Sequence, residues 1–103
     1  MSIVKPAEVI SVRDTSIPGI LPGMQVEFDT GHTVSIIQPL PKSHIIEIAV
    51  WLTNGNGDWL TNPHWNDVVY RLFTIDELND ELSQLIPGYQ PIEFLPKGIL
   101  AID

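Results

Sequence analysis

The chain contains no cysteine. Disulfide staples, thiolate catalysis and cysteine-based zinc sites are therefore excluded, and the fold needs no oxidising compartment. Basic residues are also scarce. Lys5, Arg13, Lys42, Arg71 and Lys97 stand against 13 acids, for a formal net charge of −8. These bases are scattered, so no basic stripe is available to nucleic acid, and the chain repels a phosphate backbone. No apolar run has the length of a membrane-spanning helix. The start, Met1-Ser2-Ile3-Val4-Lys5-Pro6, lacks the apolar core of a signal peptide, and the expected location is the cytoplasm.

What is present suits one globular unit. At 103 residues with 44% hydrophobic content, residues 1–103 form a single domain with a core of its own. The stretch His44 to Trp59 organises it. Ile46, Ile48, Val50 and Leu52 alternate and share one face of an extended strand, while Ile45, Glu47, Ala49 and Trp51 point the other way. Asn54-Gly55-Asn56-Gly57-Asp58 follows as the strongest turn signal, because Asn and Gly tolerate positive φ. Asp58-Trp59-Leu60-Thr61 is placed to pair back antiparallel.

Upstream, Glu8 to Arg13 reads as a first strand. Thr15 to Gly23 carries two Pro-Gly pairs and is a loop or pair of turns, apolar enough to be either a flap over the core edge or an exposed binding loop. Met24 to Gln38 alternates on both sides of Asp29-Thr30-Gly31-His32 and reads as a β-hairpin with one buried face. Downstream, Asp67 to Leu72 is either a short edge strand or the lead-in to a helix. Thr74-Ile75-Asp76-Glu77 matches a capping box, with Phe73 placed to staple onto Leu78. Ile75, Leu78, Leu82, Leu85 and Ile86 form the buried stripe of the helix, and Pro87-Gly88 stops it. The other face carries Asp76, Glu77, Asn79, Asp80, Glu81, Ser83 and Gln84, with no lysine or arginine within residues 74–86. The tail, Tyr89 to Asp103, is too apolar for a disordered end and is expected to add an edge strand or to pack on a sheet, in its own subunit or a partner's. The fold class is α+β: an antiparallel sheet of roughly four to six strands with one main amphipathic helix on one face.

Four short runs carry a resemblance. FDTGH-x-VSII (Phe28 to Ile37), EIAVW (Glu47 to Trp51), NDVV (Asn66 to Val69) and T-x-DEL (Thr74 to Leu78) together resemble a family of small bacteriophage and prophage proteins. That family shows an F-D-N-G-Y-type hairpin, an E-x-A-V strand, a D-D-V segment and a capped C-terminal helix. The likeness spans about residues 26–86. His32, Thr30 and Asn66 depart from the family pattern, and the N-terminal strand, the Pro-Gly loop and the tail have no counterpart in it. The resemblance implies a phage or prophage origin, hence a bacterial host cell, and no catalytic activity.

Candidate chemistry is sparse. His32, His44 and His64 titrate nearest neutrality, but no convergent ligand set accompanies them, so they read as structural or surface residues and no metal or cofactor is expected. Ser35 lacks a nucleophile-elbow context. The carboxylates Asp76, Glu77, Asp80 and Glu81 lack the interleaving and central glycine of a calcium loop. They read as a solvated face or, in the functional reading, as a docking face. Trp51, Trp59, Trp65, Tyr70 and Tyr89 are many rings for so small a core; either they cover the second face of the sheet under the tail, or they stay near the surface as interface anchors. The expected function is a phage-encoded accessory protein that binds a host protein. Asp76, Glu77, Asp80, Glu81, Trp59 and Trp65 are its contact residues, and the target is a basic groove of a defence or nucleic-acid-processing complex, inhibited in the anti-CRISPR manner. The alternative is an oligomeric assembly module. A small-ligand binder or hydrolase using His32, His64 and Asp67 is the remote third.

Overall fold

Alternation in three consecutive segments builds the middle of an antiparallel sheet. In the computed structural model, which describes residues 5–17, 22–39 and 44–91, these segments are strands β2 (Gly23–Phe28), β3 (His32–Ile37) and β4 (Ile46–Leu52). Val26 lies opposite Val34, and Val34 opposite Val50; Met24, Ile36 and Ile48 form the next row. Every residue in these two rows is buried. The β2–β3 turn places Gly31 at φ 85°, the left-handed position that the Asp-Thr-Gly-His sequence predicts.

Strand β1 (Val9–Asp14) adds to the outer edge of β2, with a bulge between Val9 and Ser11, and all six of its residues are exposed. On the far side of β4 two short strands share one edge. Strand β5 (Trp59–Leu60) pairs with Val50 and Trp51, as the Asn/Gly turn predicts, and β6 (Tyr70–Leu72) pairs with Ile46 to Ile48. The six-stranded sheet thus runs β1-β2-β3-β4-β5, with β6 beside β4. Of the two readings of Asp67 to Leu72, the strand is realised over its last three residues. The middle of the Pro-Gly loop, residues 40–43 and the expected tail strand beyond residue 91 lie outside the described residues.

Helix α1 (Ile75–Leu85) packs on one face, which makes the fold α+β. Thr74 Oγ1 accepts the Glu77 amide at 3.0 Å. The Glu77 carboxylate reaches back to the Phe73 amide at 3.5 Å, one residue beyond the expected Thr74 amide. Phe73 remains half-exposed, so the expected staple does not bury it. Leu78, Leu82 and Ile86 are buried in one cluster with Val26, Phe28, Ile36, Ile48 and Leu72. Each such side chain stabilises the fold by roughly 1.5–3 kcal/mol. No helix among the described residues is long and apolar enough to cross a membrane.

The turn after α1 ties the N-terminal lead to the body. Gly88 takes φ 74°, and its carbonyl accepts the Ala7 amide at 2.9 Å. Next to it, Tyr89 lies edge-on to Phe28 at 5.9 Å and donates its hydroxyl to Asn79 Oδ1 at 2.6 Å. A Cβ on Gly88 would run into the carbonyl oxygen of Lys5. Gly57 also has positive φ, but a Cβ there meets nothing within 4 Å. Gly57→Ala should therefore cost only the left-handed backbone penalty, about 1 kcal/mol, whereas Gly88→Ala should cost at least about 2 kcal/mol. Urea denaturation of both variants checks this; equal losses would show that the Gly88 contact does not constrain the fold.

Candidate functional site

The six residues singled out as a contact surface fall into three separate places. Asp76, Glu77 and Asp80 are exposed on the first turns of α1, as expected, and Asp76 and Glu77 favour the positive end of the helix dipole. Among the described residues none of the three pairs with a lysine or arginine; the lysine and arginine ion pairs there are Lys5–Asp29 at 3.1 Å and Arg71–Glu47 at 3.7 Å.

Glu81 and Trp65 are corrections. The outer helix face expected for Glu81 is not where it lies: it is 7% exposed, and Trp65 is 8% exposed. The two are bonded to each other, with Trp65 Nε1 donating to Glu81 Oε1 at 2.7 Å. Asn62 Nδ2 donates to the same oxygen at 2.9 Å and to the Glu81 carbonyl at 3.1 Å. His64 Nε2 lies 2.7 Å from Oε1 and 2.9 Å from Oε2. An ionised carboxylate only accepts, so this ring nitrogen must carry the proton. Trp65 then stacks on Tyr70 at 4.9 Å and 7°, and His64 meets the Tyr70 edge at 5.5 Å. A buried carboxylate survives only with such donors, and here three side chains from a four-residue loop supply them. The signal was present in the sequence. Glu81 stands three residues after Leu78 and four before Leu85, inside the apolar stripe.

Chemically this cluster is a lock. Burial opposes ionisation of Glu81, but hydrogen bonds from Trp65, Asn62 and His64, with the charge His64 carries when protonated, outweigh it and hold the carboxyl below its usual range. A carboxylate held so firmly ionised is a poor general base. Among the described residues no hydroxyl is hydrogen-bonded to His64 to complete a nucleophilic set. The other histidines are elsewhere. His32 Nδ1 bonds Thr30 Oγ1 at 2.8 Å, burial lowering its pKa, and His44 leads into β4 at φ 60°. No group of three or more His, Asp or Glu converges as a metal site among the described residues.

Trp59 is exposed, but on the sheet face opposite α1. It lies across from Trp51, ring centroids 5.4 Å apart. The register continues that row through every strand of the main path: Ser11, Glu27, Thr33, Trp51 and Trp59 are successive neighbours. Behind it come Arg13 and Gln25. This face holds a concavity of about 280 Å³ lined by Ser11 and Arg13 of β1, Gln25 and Glu27 of β2, and Thr33, Trp51 and Thr53. The Thr33 and Thr53 hydroxyls are bonded to each other at 2.7 Å. Sequence reasoning left this band unnoticed, because its members are far apart in the chain and only strand register lines them up.

The Glu81 lock is testable. Glu81→Ala strands the buried donors of Asn62 and Trp65 and should destabilise the protein by about 2–5 kcal/mol. His64→Gln, at a half-exposed position, should cost at most about 1 kcal/mol. Because the folded pKa of Glu81 is depressed, its stabilisation is complete above the ordinary carboxylate range and lost as pH falls through the folded value. Urea midpoints measured against pH should show wild type and Glu81→Ala converging on acidification. A pH-independent gap would refute the ionised lock.

Compared with known proteins, this chain stands apart: no protein-family model, no curated protein and no solved structure matches it.

Proposed function

We propose that this protein is a non-enzymatic accessory protein of phage or prophage origin that acts by binding a host protein. Its target would be a basic groove that normally holds nucleic acid, as in a defence or nucleic-acid-processing complex, and occupying that groove would inhibit the complex. The supporting observation is electrostatic. A chain of net charge −8 presents Asp76, Glu77 and Asp80 exposed on one end of α1, with no lysine or arginine paired to them among the described residues. Uncompensated carboxylates on a rigid helix suit a positive groove, and they steer association more than they add affinity. Glu81 and Trp65 have no part in this surface, since both are buried.

Pull-down of the tagged protein from bacterial lysate at low and raised salt tests the reading. The expected outcome is a nucleic-acid-handling partner that is retained at low salt, released as salt rises, and lost by an Asp76→Asn, Glu77→Gln, Asp80→Asn triple variant. A partner bound equally by the triple variant would rule out the acidic face.

A second reading, an oligomeric assembly module, is favoured by one feature. Strand β1, at the edge of the sheet among the described residues, exposes Val9 at 44%, Ile10 at 60% and Val12 at 51%, and an apolar edge is a template for strand pairing. On this reading light scattering finds an oligomer that Val12→Lys dissociates while the fold, read by circular dichroism, is unchanged. A monomer in the wild type would dismiss it.

A further inference from the structure

The sheet face turned away from α1 is built unlike a solvated face. Its central row runs Ser11, Glu27, Thr33, Trp51, Trp59 across five strands, polar at one end and aromatic at the other. The concavity over it, about 280 Å³, falls just below the range of drug-sized ligand sites, about 300–1,000 Å³, and so suits only a short ligand. Arg13, Gln25 and Glu27 all line it, and among the described residues none of their side chains has a hydrogen-bond or ion-pair partner. The Glu81 cluster, by contrast, is satisfied within the protein. Here three planar, strongly bonding groups are left unused beside an indole.

We propose that this face binds a short, uncharged saccharide. The apolar C–H side of a sugar ring is weakly positive and packs on the negative face of an indole, and Trp51 lines the concavity with Trp59 beside it. Neighbouring hydroxyls on such a ring both donate and accept. A guanidinium supplies paired donors, a carboxylate paired acceptors and an amide one of each, which is the set Arg13, Glu27 and Gln25 present. Charge excludes the obvious competitors. Arg13 is offset by Glu27 within the site, in a chain of net charge −8, so an anionic ligand gains little and a nucleic acid is repelled. The site lies on the opposite face from Asp76, Glu77 and Asp80, and the inference does not rest on the proposed acidic contact.

The test is an array of neutral glucose, galactose, mannose and N-acetylhexosamine oligosaccharides alongside anionic glycans, followed by titration of the best soluble glycan with tryptophan fluorescence as readout. Saturable binding of a neutral glycan is expected. Arg13→Ala, at an exposed position, should weaken it about tenfold or more. Trp51→Ala should abolish both the binding and the fluorescence change, with circular dichroism confirming the sheet. The Asp76→Asn, Glu77→Gln, Asp80→Asn variant should bind the glycan as wild type does, even if it loses a protein partner. Silence across the neutral array, binding confined to anionic glycans, or binding that survives both Arg13→Ala and Trp51→Ala would each overturn the proposal.

Discussion

One ionised carboxylate holds the irregular part of this chain to its regular part. Residues 61–69 contain no strand or helix and are mostly exposed, but Asn62 and Trp65 are buried among them, and their polar side chains must find partners. Glu81 provides them with a single side chain. Asn62, His64 and Trp65 all converge on it, and the Trp65–Tyr70 stack carries the constraint from the helix, through the loop, into β6 and the edge of β4. The geometry is reciprocal. The loop needs an anion to collect its donors, and the anion needs those donors to stay charged in a site where burial opposes charge.

That lock explains how β4 serves two short strands on one edge. β5 ends at Leu60 and β6 begins at Tyr70, so the chain leaves β4 opposite Val50 and rejoins it opposite Ile48. The excursion between them is the segment clamped to α1. The helix in turn is capped at one end by Thr74 and pinned at the other by the Gly88 turn and Tyr89. Its buried stripe fixes which side of the sheet is covered. The opposite side keeps a concave band of polar and aromatic residues, and the two surfaces are free to do different things.

Much of the fold was legible because it rests on local physics. Alternation in Met24–Gln38 and Ile45–Thr53 is a property of neighbouring residues, and it assigned the buried rows of β2, β3 and β4, although Leu52 at the end of its row is exposed. The helix and its N-cap followed from a capping pattern within four residues. The pairing of Trp59–Leu60 followed from a turn that only Asn and Gly make easily. The contact surface was less legible. Charge and aromaticity identify residue types that suit an interface, but burial depends on what lies across from them. Asp76, Glu77 and Asp80 stay exposed, with no lysine or arginine paired to them among the described residues, while Glu81, the residue after Asp80, meets Asn62, His64 and Trp65.

By itself the sequence determined the α+β class, the strand periods, the helix start and the acid excess, because each depends on composition or on spacing within one segment. Tertiary structure alone decided that Glu81 and Trp65 are partners inside the protein, and that Trp59 stands on the far face from the helix acids. It also aligned Ser11, Glu27, Thr33, Trp51 and Trp59 in one row. Several of these relations join residues far apart in the chain, as Ser11 with Glu27, Thr33 with Trp51 and Trp65 with Glu81. They are set by strand register and by the need to satisfy a buried charge, and neither is written in any one stretch of the chain.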